Sequence, residues 1–352
     1  MTTRFWPGAA AGLAFAAAAQ PAYKVLEVPV YTDPQNTTVL TYARDVNRSG
    51  QTAALLYQQL GGTAAFHCTR VTCTFIPPLG DSHHGGPSAE SINDSGLVVG
   101  SSPYQNLSRG YLFDGASSLN LGAFDEGWCG GCDLSSYAHG INNAGQVVGE
   151  GETDGGGLRA FVWQAGTMQK LGTLGGGMSA AYAVNDSGVV AGHAQLASGH
   201  WHAFMHRNGK MRDLGTLGGA QSWAYDVNGA RQVVGCSDLP AAGERAAFIY
   251  RDGAMSALPT LGGTDACATG INGLGWVVGY SSLAGGEQHG FVYDGVAVVD
   301  LNDTLSPADR AAWLITEANG INKKGQIAAV GVSSAYGATR ALLLTPRAPA
   351  GR

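Results

Sequence analysis

Apolar positions along this chain come in short alternating runs, not at helical spacing. In its middle, residues 180–184, 189–194, 202–207 and 210–214 each read as a strand, and turn residues separate them. We label these strands a, b, c and d. The pattern then begins again. Leu-Gly-Thr-Leu-Gly-Gly at 171–176 returns at 214–219, and as Leu-Pro-Thr-Leu-Gly-Gly at 258–263. An apolar-Asn-x-x-Gly element between strands a and b anchors the repeat at Asn47, Asn93, Asn142, Asn185, Asn228, Asn272 and Asn322, in steps of 46, 49, 43, 43, 44 and 50 residues. Four strands in a period of this length is the arithmetic of a β-propeller blade rather than of a solenoid coil.

The turns have a mechanism. Asn suits the first position of a type I turn, and Gly suits the left-handed residue that closes it as a bulge. The fifth copy, Asn228-Gly229-Ala230-Arg231, has Arg in the closing position, so a different turn is expected there. Between strands c and d, Asp114-Gly115, Asn208-Gly209, Asp252-Gly253 and Asp294-Gly295 are hairpin signals. Two tight turns per unit, with the Gly-Gly of the d–a loop, account for much of the 54 glycines in 352 residues.

Strand c, as in Arg159-Ala160-Phe161-Val162-Trp163 and His202-Ala203-Phe204-Met205-His206, is apolar on both faces. Neighbouring units must therefore cover both. The seventh unit has strands a, b and c but no d, whereas an alternating segment at 23–30 stands unpaired before the first unit. The expected fold is all-β: a seven-bladed β-propeller of four-stranded antiparallel blades, with the N-terminal strand completing the last blade and removing two sheet edges. The divergent first and last units leave six or eight blades as the alternatives. The a–b and c–d turns share one face of such a ring. The longer b–c and d–a loops share the other, including 150–157, 192–199 and the insertions 122–136 and 302–313. Variable loops on a rigid scaffold make this loop face the expected binding surface.

His202-Ala203-Phe204, the three Leu-x-Thr-Leu-Gly-Gly runs and the Asn-x-x-Gly-x-Val-Val-Gly copies, recurring in fixed order, resemble the HAF family of extracellular repeats. The resemblance covers nearly the whole mature chain and implies an exported propeller. The family is defined by its repeat, so no catalytic residue is carried over.

Residues 1–19 have a short basic start, an Ala-rich apolar stretch and a small-residue site at Ala17-Ala18-Ala19. They read as a secretory signal peptide, leaving 20–352 as one domain, secreted to the periplasm or beyond, with no membrane span after cleavage. Net charge is −6 with no basic run, which argues against nucleic acid as a partner. Six cysteines in an exported chain suggest disulfides. Aligning the first unit on the fifth puts Cys68 and Cys73 opposite each other, one step out from the c–d turn. Cys129 and Cys132 read as a loop bridge, since two glycines in an insertion do not open the helix that a redox motif needs. Cys236 and Cys267 are left for each other.

Of the nine histidines, His202 occupies a repeat position that holds Arg109, Arg159 and Arg340 elsewhere, so it reads as a hydrogen-bonding residue rather than a metal ligand. Loop residues Glu150, Glu152, Asp154, His193 and His200 are the binding candidates. Glu150, Glu152 and Asp154 lack the alternating ligands of a calcium loop. No cofactor, metal or catalytic motif is read. The chain is expected to be a monomeric, non-enzymatic binding or scaffold module contacting glycan or protein. The alternative is a carbohydrate-active hydrolase or lyase. Its mark would be two or more carboxylates, or a His/Arg group, converging at the channel mouth with shifted titration.

Overall fold

The computed structural model describes residues 22–30, 39–58, 62–80, 85–124 and 134–347. The stretch read as a signal peptide, residues 1–19, and the Cys129/Cys132 pair fall outside them. Within them the chain is all-β apart from a 3-10 turn at Leu301–Thr304 and one short helix, Pro307–Ala312, capped by Ser306. Each repeat folds as a four-stranded antiparallel sheet in the order a-b-c-d. In the fourth, these strands are Gly175–Val184, Val190–Leu196, Trp201–Arg207 and Lys210–Asp213. The fifth and sixth sheets are joined by one parallel pair, Arg245 with Asp265. Tyr23–Glu27 pairs antiparallel with Thr339–Pro346 as fourth strand of the last sheet, with Val25 opposite Leu344 and Glu27 opposite Leu342.

The apolar faces meet between sheets. A buried cluster lies between each unit and the next. One joins Ala183, Val189 and Ala203 to Ala224, Val233 and Phe248. Another joins Ala328, Ala341 and Leu343 of the seventh unit to Ala43, Ala54 and Leu56 of the first. The strand-c aromatics Phe161, Phe204, Phe248 and Phe291 are fully or almost fully buried. Each would cost about 3–5 kcal/mol to truncate to Ala.

The repeat asparagines connect the units through a hydrogen-bond circuit. Each Asn Oδ1 accepts backbone N–H groups of its own turn, as Asn185 does from Ser187 and Val189. Each Nδ2 donates to the backbone carbonyl of the next Asn. The series runs Asn47 to Asn93, Asn142, Asn185, Asn228, Asn272 and Asn322, and Asn322 donates to Asn47 O at 2.8 Å. Asp in this position could not donate, which is why the anchor is an amide.

Two turn expectations are corrected. Arg231 adopts φ 64°, and its N–H donates to Asn228 O at 2.9 Å as Gly188 does to Asn185 O. The fifth turn is thus built like the others, because its hydrogen bonds impose the left-handed conformation on Arg. Asn208-Gly209 and Asp252-Gly253 are left-handed at both positions, as a two-residue hairpin requires. Asp114 and Asp294 instead flank their turns, and their carboxylates accept N–H groups of the two residues after Gly.

Two disulfides lie among the described residues. Cys68–Cys73 joins directly opposed positions, Cα–Cα 4.0 Å, beside the Thr69–Thr72 turn. Cys236–Cys267 joins strand b of the fifth unit to strand a of the sixth.

Candidate functional site

Strand a carries a bulge just before its Asn. The register with strand b slips between Ala43 and Asp45, Ala138 and Gly140, Ala181 and Ala183, Ala224 and Asp226, Ala268 and Gly270, and Ala318 and Gly320. The extra residues are Arg44, His139, Tyr182, Tyr225, Thr269 and Asn319. In the second unit Glu90 takes this place, its N–H bonded to Val99 O while Ser91 opposes Val99. A bulge re-aims one side chain out of the ladder. Here all seven line one central cavity of about 380 Å³, on the loop-face side of the asparagine circuit. Ala precedes each of the seven and is fully buried, leaving no room for a larger residue.

A cluster of rings occupies the units 3 to 5 side of this mouth. His139 stacks on Tyr182 with centroids 4.6 Å apart, and Tyr182 stacks on His193 at 5.1 Å. Tyr225 meets Tyr182 edge-on and Trp201 meets His193 edge-on. Glu150, next to them on strand b, holds Oε1 3.6 Å from His139 Nε2, too far for a hydrogen bond. The Nε2 of His139 and Nδ1 of His193 are buried without a hydrogen-bond partner among the described residues. Around the rest of the mouth, Arg44 faces Glu90 at 3.9 Å. In a separate cleft beside Asp238 and Pro240, Arg245 grips Asp265 with two bonds and donates to Tyr280 Oη.

Burial sets the protonation of these groups. Desolvation lowers His193 to about 4, against a smaller opposing pull from Glu150, so its imidazole is neutral at ordinary pH. Desolvation, reinforced by Glu150, raises Tyr182 and keeps it a phenol. Deeper in the channel, Asp226 accepts the N–H groups of Val227 and Ile271, yet loss of hydration raises it to about 7. Asp45, bonded to Ser91, Ile92 and Val46, is raised for the same reason.

Two of the five sequence candidates reach this cluster, and neither is a loop residue. Glu150 lies in strand Val147–Glu152 and His193 in strand Val190–Leu196, both directly after the glycine of their strand-b repeat. Glu152 is also on a strand, where it accepts the Ser135 N–H. Asp154 sits in the b–c turn beyond that strand. His200 is exposed at the end of the next b–c turn, its carbonyl accepting from Leu196 N–H. His202 bonds Asp213 at 2.9 Å, consistent with a hydrogen-bonding position, and Arg340 in the same repeat position donates to Val39 O of the first unit. Loop-based reasoning missed Arg44, Glu90, His139, Tyr182, Trp201 and Tyr225. A signal existed for the bulge residues. Two positions lie between a constant Ala and a constant apolar-Asn pair, and the first of them repeats only in Tyr182 and Tyr225. Among the described residues, no three His, Cys, Asp or Glu side chains group to hold a metal ion.

No family model and no curated protein matches the sequence. Solved structures do match. An oligogalacturonate lyase in complex with manganese aligns at TM-score 0.52 and 11% identity, over 93% of this chain and 98% of that one. The oligogalacturonate lyase of Vibrio parahaemolyticus aligns at 0.51 and 8%, over 92% and 97%. A Mycobacterium tuberculosis puromycin-hydrolyzing peptidase aligns at 0.52 and 15%, over 91% of this chain but 56% of that one. At these identities the likeness is one of fold. With the repeated four-stranded sheets, the architecture is of the β-propeller type.

Proposed function

We propose that this chain is an exported HAF-type repeat protein, a seven-bladed propeller closed by its N-terminal strand, and that it binds a saccharide at the loop-face mouth of its channel. The Tyr23–Glu27 pairing and the asparagine circuit returning to Asn47 support the closed ring. The two disulfides support an oxidising compartment, and no helix among the described residues is long and apolar enough to cross a membrane.

The observation that carries the binding reading is the stack of His139, Tyr182 and His193 beside Glu150, edged by Trp201 and Tyr225. Sugar rings offer C–H faces to aromatic planes and hydroxyls to carboxylates and neutral imidazoles, which accept and donate without a charge penalty. The enzymatic reading also has an observation in its favour. A carboxylate, an imidazole and a phenol converge at the mouth. However, a group that shuttles protons works best with its pKa near the working pH. Burial moves His193 and Tyr182 away from neutrality, which favours binding; Asp226, raised to about 7 deeper in the same cavity, is the group that meets the enzymatic criterion.

The test is a glycan array probed with purified mature protein and with Tyr182→Ala. Binding by the wild type that falls at least tenfold in the variant, with no release of unsaturated or shortened sugar, is expected. Retention of binding by Tyr182→Ala removes the mouth as the site. Product release makes the protein an enzyme.

A further inference from the structure

A second ladder runs round the opposite face, on the residues that follow each repeat Asn. Arg48 N–H donates to Asp94 Oδ1 at 2.8 Å, Asp94 N–H to Asn143 Oδ1 at 2.8 Å, and Asn143 N–H to Asp186 Oδ1 at 2.9 Å. The rule is simple: each turn's N–H takes a side-chain oxygen from the next unit. It stops at the fifth unit, because the next three residues in the series are Gly229, Gly273 and Lys323, which carry no side-chain oxygen. Among the described residues, the N–H groups of Asp186, Gly229, Gly273 and Lys323 therefore meet no protein acceptor. They lie on the wall of one cavity of about 640 Å³, with the exposed side chains of Arg48 and Lys323 on the same side.

We infer that this arc of the turn face binds an oxyanion, a carboxylate or sulfate group, which supplies the oxygens that Asp94, Asn143 and Asp186 supply in the other half. Backbone N–H groups converging on a concave rim are an anion receptor; Arg48 and Lys323 on this wall are matched in number by Asp94 and Asp186, so recognition rests on the amides. Glycine at two successive places suits this role, since it lets an anion approach the backbone. The site is separate from the loop-face mouth and does not depend on it.

The ladder itself provides the test. Gly229→Asp with Gly273→Asp would restore two of the four missing oxygens, those for the N–H groups of residues 186 and 229. Neither glycine has positive φ. A Cβ at Gly229 meets nothing within 4 Å, and one at Gly273 meets only the flexible Lys323 side chain, Cε at 3.3 Å. Thermal unfolding is measured in sodium sulfate, sodium glucuronate and sodium chloride at equal ionic strength. The wild type is expected to gain about 3 °C in either oxyanion relative to chloride. The double variant is expected to lose that gain, while any general salting effect of sulfate persists in both proteins. As a second readout, the amide signals of Gly229 and Gly273 in the wild type are followed by NMR during the same titrations. Equal gains in wild type and variant, or glycine amides that stay in place with both anions, overturn the inference. A response to sulfate alone assigns the site to sulfate groups, and a response to glucuronate alone assigns it to carboxylates.

Discussion

Arg231 holds a left-handed backbone, φ 64°, where the other six units place glycine at φ 72° to 84°. The conformation costs a non-glycine residue about 1 kcal/mol, and the turn's hydrogen bonds enforce it all the same. Arg231→Gly should therefore raise stability by roughly 1 kcal/mol, less the entropy glycine regains on unfolding. A rise in the urea midpoint at unchanged slope is the expected result. The cost was readable from the repeat alignment, but its outcome was not. Alignment shows that Arg departs from the pattern, whereas only the Asn228 and Gln232 contacts show that the pattern prevails.

At the scale of the strand, the recurring Val-Val-Gly of strand b is explained by its neighbour. Next to each bulge, strands a and b approach so closely that a Cβ on Gly149, Gly192, Gly235 or Gly279 would collide with the strand-a carbonyl of Tyr137, Ala180, Trp223 or Cys267. Gly192→Ala must push the two strands apart, at a cost of about 3 kcal/mol. It should also disturb the Tyr182 stack, so near-ultraviolet circular dichroism is expected to change along with the melting temperature. The two disulfides differ in reach. Cys236–Cys267 spans 31 residues and joins two sheets, whereas Cys68–Cys73 spans 5 within one hairpin. Loop-closure entropy gives about 4 kcal/mol for the first and about 2 kcal/mol for the second. Replacing Cys236 and Cys267 by Ser should lower the urea midpoint more than replacing Cys68 and Cys73.

For the molecule as a whole, two buried groups set opposite slopes of stability against pH. His193 is lowered from 6.5 to about 4, so the folded state resists its protonation. Its contribution is complete above pH 6.5 and is lost as pH falls towards 4. Asp226 is raised from 3.8 to about 7, so the folded state resists its ionisation. That penalty is absent below pH 4 and grows as pH rises towards 7. The windows overlap and the effects offset each other. Asp45, raised by the same loss of hydration, adds to the Asp226 penalty. Relative to the wild type, His193→Gln should make stability fall more steeply as pH rises from 4 to 7, and Asp226→Asn should make it fall less steeply. Urea midpoints across that range, showing parallel profiles for all three proteins, would contradict this assignment.

Local chemistry was enough to read the repeat from the sequence: the Asn-x-x-Gly turns, the four strands, the doubly apolar strand c, the Cys68–Cys73 register and the partner of the N-terminal strand. The first four depend on neighbours in the chain or on the strict two-residue period of a strand, and the last on counting four strands to every unit. What the fold alone decided is where side chains from different units converge. His139, Tyr182, His193 and Glu150 come from two units, and no local pattern links them. A bulge in strand a, invisible as a gap because it adds a residue to every unit alike, turns seven otherwise unremarked positions towards one axis. The loops drew attention because they vary in length. The bulge residues vary in kind within a constant frame, and only the packing of the sheets around one cavity brings that variation together in one place.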